Sequence, residues 1–207
     1  MKTFLALACA IACLSFASST FSQTTELLTF DDLPGASNSG PFFYVPGGYG
    51  GLQWSNFIPL DGTHDVASGY QNGVVSPNNV IFSGFNTVGS FGNAAGFDLN
   101  SAYLTAAWND GMQVEVRGYI GNTLAYDKTY SVNATGPELI NFNYEGITSV
   151  YFVTSGGVNH GFVDGGNGTQ LVIDNLSITI VPEPASFKLL VCGLAILGFR
   201  FLKRAQE

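Results

Sequence analysis

Residues 102–132 read AYLTAAWNDGMQVEVRGYIGNTLAYDKTYSV, and this stretch decides the fold class. Three runs, 102–108, 112–120 and 123–132, are rich in Val, Ile, Thr, Tyr and Trp, residues that suit a pleated, half-buried surface. Between them stand Asn109-Asp110-Gly111 and Gly121-Asn122, dipeptides and tripeptides that favour tight hairpin turns. The pattern predicts a meander of three strands. The same texture continues outward, with further candidate strands at 27–30, 52–57, 80–83, 139–144, 148–154 and 170–180. The Gly- and Pro-rich stretches 33–51 and 155–168 read as loops. No segment has the spacing of an amphipathic helix, and no internal repeat is present. Many short strands without helices predict an all-β sandwich.

Both ends of the chain read as addresses rather than as fold. Met1-Lys2 is followed by an apolar run, 4–16, and by Ser18-Ser19-Thr20-Phe21-Ser22, which predicts a signal peptide over 1–22 that is cleaved after Ser22. The other end runs Val181-Pro182-Glu183-Pro184, then a mostly apolar span 185–202, then Lys203-Arg204-Ala205-Gln206-Glu207. Eighteen residues lie near the short end of what crosses a bilayer. Arg200, Lys203 and Arg204 favour the cytoplasmic side. Pro182 and Pro184 stiffen the box that precedes the span. A Pro-Glu-Pro box, an apolar span and a basic end, in that order, resemble the PEP-CTERM tail of exported Gram-negative proteins. The resemblance covers 181–207. It implies recognition by an exosortase-type sorting enzyme at Pro182, Glu183 and Pro184, transient anchoring in the inner membrane, and delivery to the cell surface or an extracellular, biofilm-like matrix.

The domain between the two addresses, 23–180, has no cysteine, so it holds no disulfide framework, thiolate metal site or cysteine nucleophile. Between residues 23 and 181 there are thirteen carboxylates but only Arg117 and Lys128 as bases, a net charge of −11. Such a surface excludes nucleic acid, whose binding needs a density of lysine and arginine. Cations and neutral sugars fit it better.

The order of features resembles a jelly-roll of the galactose-binding or carbohydrate-binding-module type. An opening strand ends in Phe30-Asp31-Asp32, Gly50-Gly51-Leu52-Gln53-Trp54 follows, and Val172-Ile173-Asp174-Asn175-Leu176 closes the domain. The resemblance implies that the first and last strands lie side by side. It also implies a structural calcium between them. In the closing strand Val172, Asp174, Leu176, Ile178 and Ile180 share one parity, which places Asp174 on the core face. A buried carboxylate needs a partner, and the domain has almost no bases. Two readings stand: calcium held by Asp174 with Asp31 or Asp32, or Asp174 bonded to backbone N–H groups.

Nothing in the sequence points to catalysis. His64 and His160 stand without a recognisable serine elbow, and no metal-protease, phosphate-loop or dinucleotide motif is present. The expectation is a protein that binds without catalysing, structural or adhesive, with extracellular polysaccharide as a possible partner. The alternative is a polysaccharide-active enzyme, a hydrolase or lyase, on a jelly-roll scaffold. For binding, Trp54 and Trp108 are the candidate sugar platforms, with Asn109 and Asp110 beside Trp108 as hydroxyl partners. Burial of both indoles in the core is the competing reading.

Overall fold

The computed structural model describes residues 23–35, 42–64, 67–84, 88–163 and 165–180. The expected signal peptide, 1–22, and the expected sorting tail, 181–207, with Pro182, Glu183, Pro184 and the apolar span, lie outside the described residues.

The strands are β1 (Thr24–Leu28), β2 (Gln53–Ser55), β3 (Phe57–Asp61), β4 (Asn79–Ser83), β5 (Val88–Ala106), β6 (Asn109–Asp110), β7 (Met112–Ile120), β8 (Thr123–Val132), β9 (Glu138–Ser155), β10 (Val158–Asn159) and β11 (Leu171–Ile180). Nine of them form one sheet in the order β3-β4-β11-β5-β9-β7-β8, with β1 paired to β11 and β2 to β5. The long strands β5 and β9 each bend in the middle. Their register shifts between Gly92 and Phe97, where Gly96 has φ +94°, and β9 turns where Asn143 and Gly146 have φ +54° and +62°. The sheet therefore folds over on itself. Val114 and Val116 of β7 and Ile173 and Ile178 of β11 enter one core together with Phe57, Phe97, Leu99 and Phe152. The architecture is an all-β sandwich. The opening and closing strands lie side by side, from Thr24 opposite Ile180 to Leu28 opposite Leu176.

The β7–β8 hairpin is as expected. Gly121 takes φ +59° and Ile120 faces Thr123 across the two-residue turn, a geometry in which glycine at the first turn position matches the strand twist. The other expected hairpin is not formed. After Trp108 the chain leaves β5, Asn109 and Asp110 pair with β10, and β9 lies between β5 and β7. The meander is thus a single hairpin attached to a returning strand. The run 52–57 also divides: Asn56, at φ +58°, turns the chain so that β2 pairs with β5 and β3 with β4. The expected strands 139–144 and 148–154 are one bent strand.

The parity of β11 changes part-way. Asn175 has φ +50°, and the pairing with β5 slips between Asp174 and Ser177, as a bulge requires. Leu171 and Ile173 face the main core before the bulge, and Leu176 and Ile178 face it afterwards. Val172 faces a second cluster with Ile58, Leu60, Tyr70, Val80 and Phe82. Asp174 shares the parity of Val172 and is fully buried, as expected of a core-facing carboxylate, but its face is that of the second cluster and not the one that Leu176 and Ile178 enter.

Candidate functional site

The solvent face of the β5–β9–β7–β8 half is where side chains are displayed rather than packed. In β7, Met112, Val114 and Val116 are buried, while Gln113, Glu115, Arg117 and Tyr119 alternate with them on the outer face. In β9, Val150 and Phe152 point inward, and Ser149, Tyr151 and Val153 occupy the other parity. Register then assembles rows across the face. Ser55, Ser90, Tyr151, Arg117 and Asp127 lie in one row, and Gln53, Gly92, Ser149 and Tyr119 in the next.

These rows form an open groove of about 370 Å³, lined by Val88, Tyr119, Tyr151, Arg117, Asn122 and Ser149 among others. The Tyr119 and Tyr151 rings meet edge to face, with centroids 5.5 Å apart and planes at 82°. Tyr151 remains 40% exposed. Arg117 donates through Nη2 to Glu115 Oε2 at 2.6 Å. That hydrogen bond is the main cause that holds the guanidinium above its ordinary value, so it stays charged. The turn at one end of the groove is pinned: Thr148 Oγ1 accepts from the Gly121 amide at 2.9 Å and donates to the Tyr119 carbonyl at 3.2 Å. Gly92 has a structural reason as well. A Cβ there would run into the Thr148 carbonyl, so glycine lets β5 and β9 approach closely and leaves that row low.

The residues singled out in the sequence sit elsewhere. Trp54 is half-buried at the edge of the core. Its Nε1 donates to the Tyr49 carbonyl at 2.9 Å and its ring lies 4.6 Å from Phe91, with Phe30 and Phe57 edge-on. Trp108 is half-buried between Tyr70, at 5.6 Å, and Phe162, at 6.4 Å, with the Gly166 backbone against its ring. Asn109 and Asp110 do gather beside Trp108, but their polar groups hold the loops before and after β9. Asn109 Nδ2 donates to the Gly156 carbonyl at 3.0 Å, and Asp110 accepts from the Ala134 amide at 2.9 Å and meets His160 Nδ1 at 2.6 Å. The His160 contact is the largest cause that holds Asp110 below the usual carboxylate range. His64 meets Asp61 at 2.9 Å.

Asp31, Asp32 and Asp174 each have other partners. Asp31 accepts from the Asn79 amide at 3.0 Å, and Asp32 accepts from the Tyr49 hydroxyl at 2.8 Å. Asp174 is fully buried. Its Oδ2 accepts from the amides of Val75 and Ser76 at 2.7 and 2.9 Å, and its Oδ1 from Ser76 Oγ and the Asn175 amide at 3.1 and 2.6 Å. Four hydrogens thus point at the two oxygens, and a cation there would face all of them. These residues do not fit a calcium ion. Ser76 adds a link beyond the β1–β11 ladder, since its hydroxyl also lies 3.5 Å from the carbonyl of Thr29, just after the opening strand. Among the described residues no three His, Cys, Asp or Glu side chains gather as metal ligands.

Tyr119 and Tyr151 were not found by sequence reasoning, although a signal was there: each is an aromatic on the polar parity of its strand. No protein-family model matches the chain, and no curated protein matches it. Among solved structures it is similar to the module TmCBM61 in complex with β-1,4-galactotriose, at 12% identity and a TM-score of 0.32, covering 64% of this chain and 93% of that one. It is also similar to CBM51 from Clostridium perfringens GH95 in complex with methyl-galactose, at 11% identity and a TM-score of 0.34, covering 75% of this chain and 99% of that one. A third likeness is to the M60 catalytic domain with CBM51-1 and CBM51-2 from Clostridium perfringens ZmpB, at 8% identity and a TM-score of 0.28, covering 74% of this chain and 15% of that one. At these TM-scores the likenesses carry no ligand or site from those proteins to this chain.

Proposed function

We propose that this domain is a non-catalytic glycan-binding module of jelly-roll type that works at the cell surface or in the extracellular matrix, through the groove of Tyr119 and Tyr151. One observation carries the reading. Two tyrosines and an Arg–Glu pair stand together on a solvent face where the core does not require them. Tyrosine rings offer an apolar face to the C–H side of a sugar and a hydroxyl to its rim. Arg117 supplies fixed donors within the groove, and Glu115 beside it holds the guanidinium in place. Tyr151→Ala is expected to weaken binding of the purified protein to its glycan about ten-fold, which corresponds to about 1.4 kcal/mol. Binding that is unchanged in both Tyr151→Ala and Tyr119→Ala would remove the groove as the site. Release of new reducing ends from the glycan would replace binding by catalysis.

The proposed place of action rests on the Pro182-Glu183-Pro184 box, the apolar span and the basic end, which resemble an exosortase-sorted tail. Mass spectrometry of protein released from the surface is expected to show a C-terminus near the box. Recovery of released protein that still carries Lys203-Arg204 would overturn sorting by cleavage.

A further inference from the structure

Resting on the glycan-binding reading above, we infer that the groove takes the end of a neutral glycan, one or two pyranose units, rather than a long internal stretch or an acidic chain. Three features of the groove lead there.

The first is the angle between the rings. A chain laid along a sheet needs aromatic faces that follow one another in roughly one plane, so that successive sugars each find a platform. Tyr119 and Tyr151 instead meet at 82° with centroids 5.5 Å apart. The edge of one ring covers part of the other's face, and what remains is a corner. A corner accommodates one pyranose, with its apolar side against one ring and its rim against the other.

The second is the length of the groove. It is open to solvent and holds about 370 Å³. At one end stands the Gly121-Asn122 turn, bonded through the Gly121 amide to Thr148 on the neighbouring strand. The other end is the apolar pair Val88 and Val153, which lie opposite each other in register and offer sugar hydroxyls no hydrogen bond.

The third is charge. Arg117 is one of two bases between residues 23 and 181. Its guanidinium is bonded to Glu115, and Asp127 stands opposite it on β8. Arg117 is the charged residue that lines the groove, and with Glu115 bonded to it and Asp127 across from it the three groups carry one net negative charge, within a domain that is itself strongly negative. A uronate meets repulsion there, while a neutral sugar finds both donors and acceptors.

The test is calorimetric titration of the purified protein with neutral β-1,4-linked gluco-, galacto- and manno-oligosaccharides of one, two, four and six units, and with oligogalacturonates of the same lengths. In the neutral series that binds, Kd is expected to fall from one unit to two and then to stay within about two-fold up to six. Oligogalacturonates are expected to bind at least ten-fold more weakly. Glu115→Gln, which leaves Arg117 less compensated, is expected to raise oligogalacturonate affinity several-fold while the melting temperature stays near that of the wild type. Affinity that climbs ten-fold or more between two and six units would overturn the short corner site. Oligogalacturonates that bind as tightly as the neutral series would overturn the charge argument. If no member of any series binds, the glycan reading itself falls and this inference with it, an outcome separate from binding with the wrong length or charge dependence.

Discussion

Asp174→Ala is expected to destabilise the domain by about 3–5 kcal/mol, a loss read from chemical unfolding. The carboxylate serves four donors at once, from Val75, Ser76 and Asn175. Each buried donor left without an acceptor costs about 1–3 kcal/mol, less where water reaches it. Ser76 also touches the end of the opening strand at Thr29, so the loss extends to the β1–β11 seam. Asp174→Asn keeps the volume but turns an amide NH₂ toward two of the donors. It is expected to cost about 2–3 kcal/mol. Burial is the largest influence on this carboxyl and raises it above the ordinary value, against the four hydrogen bonds that lower it. The sign follows from linkage: a raised folded-state pKa contributes stability below the unfolded value and loses it as the pH rises through the folded one. The wild type is therefore expected to gain on Asp174→Asn as the pH falls through this range. A chelator is expected to leave the melting temperature unchanged. A melting temperature that drops in chelator and no longer does so in Asp174→Asn would restore calcium at this position.

The parts of the fold that were legible in the sequence are those whose local chemistry and final environment agree. Residues 112–132 carry β-formers on both sides of Gly121-Asn122, and they form the β7–β8 hairpin. The closing run 170–180 has Val, Ile, Leu or Thr at seven of its eleven positions, and all but its first residue become β11. What was hidden depends on contacts far along the chain. The first half of β5, from Val88 to about Asn100, is rich in Gly, Asn, Ala and Ser and has little strand propensity of its own. It is extended because β2, β9 and β11 pair with it. Gly146 reads as a break between two strands, yet the chain uses it to bend one strand around the sandwich. The bulge at Asn175 has no sequence mark beyond an asparagine, and it puts Leu176 and Ile178 on the face opposite to that of Val172 and Asp174. The same limit applies to the site. Trp54 and Trp108 draw attention by residue type, whereas Tyr119 and Tyr151 become a pair only once β7 and β9 are in register.

Phe152→Ala is expected to cost about 3–5 kcal/mol, whereas Tyr151→Ala, one residue away, is expected to cost less than about 1 kcal/mol. The two residues occupy opposite faces of β9. Phe152 is fully buried, with its ring 6.1 Å from Phe57, 5.7 Å from Phe91 and 6.2 Å from Phe142. Removing it opens a cavity among rings that cannot all relax into the space, and Gly89, opposite it on β5, brings no side chain to fill the gap. Phe152→Leu keeps most of the volume and is expected to cost about 1 kcal/mol. Total stability for a domain of this kind is about 5–15 kcal/mol, so Phe152→Ala leaves a marginal protein. Binding is expected to follow the reverse order. Tyr151→Ala loses affinity in a stable domain, and Phe152→Leu keeps affinity while its melting temperature falls. Unfolding curves and glycan titrations on these three variants separate the inner face of the strand from the outer one. If Tyr151→Ala proves as destabilising as Phe152→Ala, Tyr151 belongs to the packing of the sheet, and the argument that an aromatic stands on this face without a structural reason is lost.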